Sequence, residues 1–301
     1  MKMRKNINVK KAIKSGKYSL KGKTVAISGA TGGLGRELCF RFRELGADLI
    51  LIDRNKERSL ALISELKSGY ESLVAEHITL DLEDSERARA VSEELISRGV
   101  DFLVLNAGAY SIPRHTCSTG YDNVFMINFV SPYILAKALL PHVSERGGRV
   151  VAVGSIAHNY SRTDMTDVDF SIRRAASKVY GNAKRYLMFS LMGEEGYGKS
   201  VTVAHPGIAV TNITAHYPKL IYAIIKYPMK LIFMSPKKAC LSILAALFED
   251  CGKNEWIGPR VFDVWGYPKR KLLRSCSASE AQEIEETAQK IYEKVMRENL
   301  T

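Results

Sequence analysis

Short apolar runs alternate along most of the chain with stretches in which apolar residues recur every three or four positions. The short runs are typical of buried β-strands, and the second spacing is typical of helices with one face in a core. The strands predicted in this way are Thr24–Ser28, Asp48–Asp53, Leu73–Thr79, Phe102–Asn106, Arg149–Gly154 and Ser200–His205.

Between these strands, apolar residues recur at the spacing of helices. Strands that alternate with helices predict βαβ units, and right-handed crossovers assemble such units into a doubly wound parallel α/β sheet with helices on both faces. No internal repeat or low-complexity linker appears, so one domain is predicted over residues 21–301. The helices are predicted near Gly33–Leu45, Lys56–Lys67, Ser85–Arg98, Val124–Glu145 and Ser177–Gly196.

Two later segments depart from this alternation. Residues 208–235 contain the apolar sequence KLIYAIIKYPMKLIFM, with Pro218 directly before it and Pro228 within it. The tail SASEAQEIEETAQKIYEKVMREN predicts a long helix, with Ser279 and Gln282 as a capping box. Its apolar stripe is expected to pack on the core and comprises Ile284, Ala288, Ile291, Tyr292 and Val295.

Composition is that of a globular protein: 46% of the 301 residues are hydrophobic and 25% are charged, with a net charge of +12. Residues 1–20 are basic, and no acidic residue precedes Glu37. The sequence favours a solvated N-terminal extension, with contact to nucleic acid or anionic lipid as the alternative. A nucleic-acid partner is not predicted, because no nucleic-acid-binding motif accompanies the charge. Neither a signal peptide nor an apolar run of about eighteen residues is found, so a cytoplasmic location is expected.

The cysteines and histidines show no pattern of a disulfide or a metal site. Five cysteines are scattered without a C-x-x-C pair, which indicates free thiols in a reducing compartment. No histidine has the spacing of a metal ligand, so no metal is predicted. His205 follows a predicted strand and is interpreted as a packing residue.

The sequence SGATGGLG, residues 28–35, follows the first predicted strand and opens the first helix. Glycine removes side-chain bulk, so backbone N–H groups at the helix N-terminus can approach a pyrophosphate. Gly29, Gly33 and Gly35 have the spacing G-x-x-x-G-x-G, which differs from the G-x-G-x-x-G dinucleotide fingerprint.

The glycine spacing resembles that of the short-chain dehydrogenase/reductase family, and the family's other motifs follow in order. These are LNAG at Leu105–Gly108, Asn128 in NFVSP, Ser155 in VVAVGSIAH, YGNAK with Tyr180 and Lys184, and HPGIAVT with Pro206, Gly207 and Thr211. The resemblance covers residues 21–257. Within the family the chain most resembles retinol dehydrogenases and related steroid or lipid-alcohol enzymes, although Gly154 stands where a second serine is common.

The resemblance implies roles for four catalytic residues. Tyr180 would exchange a proton with the alcohol or carbonyl, and Lys184, four residues later on one helix face, would lower its pKa. Ser155 would hydrogen-bond the reacting oxygen, and Asn128 would fix a water that relays protons to Lys184. Each residue alone also fits an ordinary structural role, and the combination favours catalysis.

The resemblance also implies a nicotinamide cofactor. Asp53 ends the second strand, where a carboxylate favours NAD over the 2′-phosphate of NADP, whereas the neighbouring Arg54 makes NADP possible. Asp81 would contact the adenine, with the N-cap of the next helix as its alternative role. The predicted cofactor-binding residues are Gly29, Thr31, Gly33, Leu34, Gly35, Asp53, Arg54, Asp81, Leu82, Asn106, Ala107, Gly108, Tyr180, Lys184, Pro206, Gly207, Ile208 and Thr211.

The substrate is predicted from the apolar segment at 208–235, which forms a lid in the family. Apolar walls imply a hydrophobic alcohol or ketone, such as a steroid, retinoid or lipid. This segment has two other interpretations, which are packing between subunits and peripheral contact with a membrane. A homo-oligomer is expected. A dinucleotide sensor or scaffold on the same fold is the alternative function, and retention of the Tyr-Lys pair argues against it.

Overall fold

The computed structural model of the chain describes residues 6–208 and 234–298. Its described residues form one eight-stranded sheet, in the order β3-β2-β1-β4-β5-β6-β7-β8. The strands are β1 Thr24–Ser28, β2 Asp48–Asp53, β3 Ala75–Thr79, β4 Phe102–Leu105, β5 Arg149–Val153, β6 Val201–Ala204, β7 Glu255–Val261 and β8 Trp265–Leu272.

The first seven strands are parallel, and β8 pairs antiparallel with β7. The direction of strand order reverses between β1 and β4, so a crevice opens there at the carboxyl ends of the strands. The predicted doubly wound α/β sheet is therefore confirmed. The hairpin of β7 and β8 was not predicted from the sequence.

Helices cover both faces of the sheet. One apolar core lies under α4, α5, α6 and α8, and the other lies under α1, α2, α3 and α7. The helices are α1 Val9–Lys14, α2 Gly33–Glu44, α3 Lys56–Lys67, α4 Ser85–Ser97, α5 Asn123–Glu145, α6 Ala176–Gly193, α7 Pro236–Phe248 and α8 Ala278–Glu298.

Helix α5 is long and apolar enough to cross a membrane by length and composition. However, 78% of its most apolar window is buried inside the protein, where it packs between α4 and α6. Its composition is therefore that of a core helix.

The N-terminal segment packs on the domain from residue 6 onward, so the expectation of a solvated extension is wrong for residues 6–20. The Ile7 N–H donates to the Pro268 carbonyl on β8, at 2.9 Å. Tyr18 is buried and stacks on Phe248 with ring centroids 4.3 Å apart. Val9 and Leu20 are also buried, so this basic segment contributes to the second core.

The C-terminal helix confirms the predicted apolar stripe but corrects its cap. Ile284, Ala288 and Val295 are fully buried against the first core. The helix begins directly after Ser277, whose hydroxyl accepts from the Glu280 N–H at 3.1 Å. Ser277 therefore caps the helix in place of Ser279, while Gln282 donates along the helix surface to Glu286.

Candidate active site

The glycine turn forms a cradle with no room for side chains. Gly29 has a φ of +68°, and a Cβ there would come 2.9 Å from the Ala107 Cα. A Cβ on Gly35 would lie 2.1 Å from the Gly29 carbonyl oxygen. Gly32 precedes α2 without a side-chain cap, so the first N–H groups of the helix face the cradle. This arrangement fits a pyrophosphate, which is the ligand expected for Gly29, Gly33, Leu34 and Gly35.

Ser28 and Asn106 join this turn to the loop after β4. The Ser28 hydroxyl accepts from the N–H groups of Asn106 and Ala107, both at 3.1 Å. The Asn106 side-chain amide donates to the carbonyls of Ser28 and Gly29, both at 3.0 Å. In the structure Asn106 thus shapes the cradle through its side chain, a role that the sequence did not distinguish from cofactor contact.

Asn128 and Lys184 meet beside Gly108. A Cβ on Gly108 would lie 2.8 Å from Asn128 Oδ1 and 3.5 Å from Lys184 Nζ, so only glycine fits. Asn128 lies in the π-helical stretch Met126–Val130 of α5, a distortion frequent at functional sites. Its amide donates to the Ala109 carbonyl at 2.9 Å and to the Val124 carbonyl at 2.8 Å.

Lys184 is buried on α6, and its ammonium donates to the Val153 carbonyl at 3.2 Å. Burial lowers the pKa of Lys184 to about 8, because desolvation penalises the ammonium. Its Nζ lies 5.7 Å from the centroid of the Tyr180 ring. The pair therefore lies close on one helix face, as predicted.

The Tyr180 hydroxyl lies close enough to the Ser155 side chain for that side chain to favour the phenolate. Burial raises the pKa of Tyr180 to about 12, and the interaction with Ser155 opposes the rise. Ser155 follows β5 and caps the 3-10 turn Ile156–Tyr160, accepting from the Ala157 N–H at 3.2 Å. Tyr110, from the loop after β4, packs edge-on against the Tyr180 ring with centroids 5.4 Å apart. The structure thus brings all four predicted catalytic residues to the carboxyl ends of β4 and β5.

Gly154 has a packing reason that the sequence did not reveal. A Cβ at this position would come 2.9 Å from Met188 Sδ and 3.0 Å from Val203 Cγ1. The space of a second serine is thus occupied by a methionine of α6.

We expect Gly154→Ser to lower the free energy of unfolding by about 1 kcal/mol, at the low end for overpacking because the thioether of Met188 can rotate. Met188→Ala should relieve this clash, so the double variant should be more stable than the sum of the two single changes indicates. Chemical denaturation of the four proteins in this cycle measures the coupling. Strict additivity would show that Met188 does not oppose a side chain at Gly154.

Arg185, next to Lys184, joins the catalytic loop to the C-terminal helix and was missed by the sequence reasoning. Its side chain is 1% exposed and donates to Glu280 at 2.6 and 2.9 Å. It also donates to the carbonyls of His158, at 3.2 Å, and Ser275, at 2.6 Å. His158 Nδ1 in turn donates to the Ser155 carbonyl at 2.5 Å. No local signal could have identified a pair 95 residues apart.

The acid at the end of β2 is held by the glycine turn. Thr31 donates to Asp53 through its N–H and its hydroxyl, each at 3.1 Å. Burial raises the pKa of Asp53, and the bonds from Thr31 oppose the rise. The Arg54 side chain is 73% exposed and lies 3.5 Å from Asp81. Both residues thus lie where the sequence placed them, and Thr31 acts through Asp53.

The turn after β3 shows whether Asp81, expected to contact the adenine, also serves as the N-cap of α4. Asp84 caps α4, accepting from the Arg87 N–H at 2.8 Å, so the alternative role of Asp81 as N-cap is wrong. Asp81 instead accepts from the Glu83 N–H at 3.1 Å and remains partly exposed. Leu82 is buried, and its carbonyl accepts from Ser131.

The first residues after β6 contact the turn between β7 and β8. Gly207 has a φ of +85°, and a Cβ there would meet the Val264 carbonyl at 2.5 Å. The Ile208 N–H donates to that carbonyl at 3.1 Å. Thr211 and residues 209–233 of the predicted lid lie outside the described part of the chain. Pro206 and Ile208 follow the carboxyl end of β6.

His205 is a packing residue, which confirms the interpretation from the sequence. Its ring stacks on Trp256 with centroids 5.2 Å apart, and Nε2 lies 2.9 Å from the Asp263 carbonyl. Burial lowers the pKa of His205 to about 4, so the ring is neutral near pH 7.

Comparison with known proteins agrees with this geometry. The profile of the short chain dehydrogenase family matches residues 23–218. Mouse (Mus musculus) polyprenol dehydrogenase is 26% identical over 75% of this chain and 71% of its own length. Human (Homo sapiens) retinol dehydrogenase 13 is 27% identical over 66% of this chain and 63% of its own length.

Two solved structures share the fold. An uncharacterised protein from Mycobacterium Paratuberculosis matches with a TM-score of 0.72 at 22% identity, over 91% of this chain and 95% of that chain. L-sorbose reductase from Gluconobacter frateurii, in complex with NADPH and L-sorbose, matches with a TM-score of 0.59 at 19% identity, over 76% of this chain and 91% of that chain. The chain belongs to the short-chain dehydrogenase/reductase family, in the group that includes the retinol dehydrogenases, and is an oxidoreductase that acts on CH–OH groups.

Proposed function

We propose that this protein interconverts a hydrophobic alcohol and its carbonyl compound, with Tyr180 as the proton-transferring residue. The observation that carries the proposal is the buried Lys184 ammonium, 5.7 Å from the centroid of the Tyr180 ring, with Ser155 beside the Tyr180 hydroxyl. A tyrosine, a lysine and a serine in this contact form a general acid–base site rather than a simple binding surface.

The residues divide the proton chemistry among them. Tyr180 takes the hydroxyl proton in oxidation and returns it in reduction, while Ser155 orients the reacting oxygen. Lys184 is buried with its ammonium near the ring, so its charge favours the phenolate. Asn128 lies within reach of the same space, where it would hold a water on the proton path to Lys184.

A nicotinamide dinucleotide would supply the acceptor or donor of the hydride. The turn at Gly29 and Gly35 fits its pyrophosphate, because only glycine lets the turn pack this closely on itself and on Ala107 ahead of the helix N-terminus. Lys184 would bind the ribose near the nicotinamide. Asp53 lies at the position for the adenosine ribose, and its fixed carboxylate leads us to prefer NAD, with NADP possible through Arg54.

We expect Asp53→Asn to raise the use of NADP relative to NAD by roughly tenfold or more, a change of about 1.4 kcal/mol. The substitution removes the charge that would repel a 2′-phosphate, and Arg54 can then bind that phosphate. Thr31→Val is the matched control, because it removes the hydroxyl contact to Asp53 and keeps the charge. The measurement is kcat/KM with each cofactor. A wild-type preference for NADP would show that Arg54 dominates and that the assignment to NAD is wrong.

The proposed substrate is apolar. Tyr110 packs against Tyr180 in the described part of the site, and Ile112 packs on the same small apolar cluster as Tyr180. The apolar segment at 209–233 would form the lid, and two relatives are named for their action on polyprenol and retinol. The test is a panel of retinol, polyprenol, steroid and short polar alcohols, each with NAD and NADP. Oxidation of the polar alcohols alone would contradict a hydrophobic substrate.

Cytoplasmic location and self-association are part of this proposal. All five cysteines are free in the structure, which supports a reducing compartment. Light scattering of the purified protein measures its mass, and a monomer would contradict self-association.

A further inference from the structure

A second cluster of reactive side chains lies next to α4, outside the catalytic site. It consists of Glu83, after β3, and His115 and Cys117, in the loop between β4 and α5. One ligand atom from each residue lies within 4.8 Å of the other two. His115 Nε2 lies 2.8 Å from Glu83 Oε2. The sequence showed no ligand spacing here because the residues come from two separate segments.

The loop that carries two of these residues is held by its own hydrogen bonds. The Cys117 N–H donates to the Tyr121 carbonyl at 2.8 Å, which closes a tight turn. The Asn123 N–H donates to the His115 carbonyl at 3.0 Å. The backbone therefore presents both side chains toward Glu83 without help from a ligand.

The surroundings of the cluster are negatively charged. Asp81 and Asp84 line the same surface pocket as Glu83, His115 and Cys117, and the pocket has a volume of about 460 Å³. Because Asp81 is paired with Arg54 at 3.5 Å, the carboxylates of Glu83 and Asp84 are those that favour a cation here.

We propose that Glu83, His115 and Cys117 bind one divalent ion and that Zn²⁺ is preferred. A thiolate, an imidazole and a carboxylate match the ligands that zinc prefers, and a water would complete a tetrahedron. Zinc–ligand bonds of about 2.0–2.3 Å place the ligand atoms of a tetrahedral site roughly 3.3–3.8 Å apart. The ligand atoms here lie within 4.8 Å of one another, so side-chain movements of about 1 Å bring them to this spacing. The ion replaces the contact between His115 and Glu83, and the Cys117 thiol releases its proton to solvent.

The proposal differs from an ordinary surface ion pair between His115 and Glu83 in one respect. An ion pair needs no thiol, whereas the proposed site requires the sulfur of Cys117. A thiolate bound to Co²⁺ gives a charge-transfer absorption that oxygen and nitrogen ligands do not give. Co²⁺ is therefore the probe that separates the two interpretations.

The experiment uses the full chain, free of affinity tags and stripped of metal by a chelator. Co²⁺ titration should show one equivalent with the charge-transfer absorption, and Zn²⁺ should displace the Co²⁺. Cys117→Ser and His115→Ala should each weaken Zn²⁺ binding on the order of 100-fold, and Glu83→Gln about 10-fold, since even outer partners of metal ligands are worth 10–100-fold. The readout does not depend on dehydrogenase activity, so it stands apart from the proposed function.

The control variants are Cys251→Ser and His77→Ala, which remove a thiol and an imidazole outside the cluster. Both should keep wild-type affinity and the absorption band. Thermal unfolding of each protein without metal checks that the substitutions preserve the fold. Absence of a stoichiometric site in the wild type, or Zn²⁺ binding that survives Cys117→Ser, would overturn the proposal.

Discussion

Tyr180→Phe is expected to reduce turnover by at least about 10²–10⁴-fold, while affinity for the dinucleotide stays within about threefold. The change removes the one atom that transfers the proton and leaves a ring of similar shape against Tyr110 and Lys184. The rate at which reduced cofactor forms measures turnover. Calorimetric titration with the dinucleotide measures its affinity. Turnover near that of the wild type would contradict the role of Tyr180.

The pH dependence of the same reaction follows from the pKa values of the pair. Burial raises the pKa of Tyr180 to about 12 without a cofactor, so oxidation, which needs the phenolate, should increase with pH. Lys184, with its pKa lowered to about 8 by burial, is charged at neutral pH and there favours the phenolate. Lys184→Met should therefore shift the acid limb of the oxidation profile to higher pH. An unchanged limb would show that Lys184 does not act through Tyr180.

Glu280→Gln is expected to lower the free energy of unfolding by about 3–5 kcal/mol, because it leaves the buried guanidinium of Arg185 without a counter-charge. Urea denaturation measures the change. Glu286→Gln is the matched control on the exposed face of α8, where the effect should stay within about 0.5 kcal/mol. An equal effect in both variants would contradict a special role for the pair.

The same pair predicts how stability depends on acid pH. Partial burial opposes ionisation, but hydrogen bonds from Arg185 and Thr163 lower the pKa of Glu280 from 4.5 to about 2. A folded-state pKa below the unfolded value gives stability that is present above pH 4.5 and is lost as pH falls toward 2. The difference between the wild type and Glu280→Gln should therefore shrink over this range. A difference that is constant with pH would argue against ionisation of Glu280 as its source.

Strands β1, β2, β4, β5 and β6 were predicted because each is a largely buried apolar run, as parallel strands covered on both faces must be. Strand β3, at the edge of the sheet, is only partly buried. The last two strands carry a weaker signal. Pro259 on β7 pairs with Pro268 on β8, and proline normally argues against a strand. Strand β8 also carries Lys269, Arg270 and Lys271 in a row, because as the edge of the sheet it is largely solvated.

The catalytic residues were predictable because each follows a strand or lies on a helix with a recognisable local sequence. The contacts that position them were not, since they join distant segments. Gly154 is explained only by the Met188 side chain, and the Ser155 carbonyl is reached by His158, which Arg185 holds. Such pairs leave no period or spacing in the sequence from which they could be inferred.

The most direct test of the account follows the hydride itself. Retinol that carries deuterium on the carbinol carbon is incubated with the wild-type protein and NAD or NADP, and the reduced nicotinamide is analysed by mass spectrometry. The account predicts that deuterium appears in the reduced nicotinamide with the wild type and is lost with Tyr180→Phe. If the wild type binds the dinucleotide but transfers no deuterium from retinol or from any labelled alcohol of the panel, the proposed dehydrogenase function is wrong.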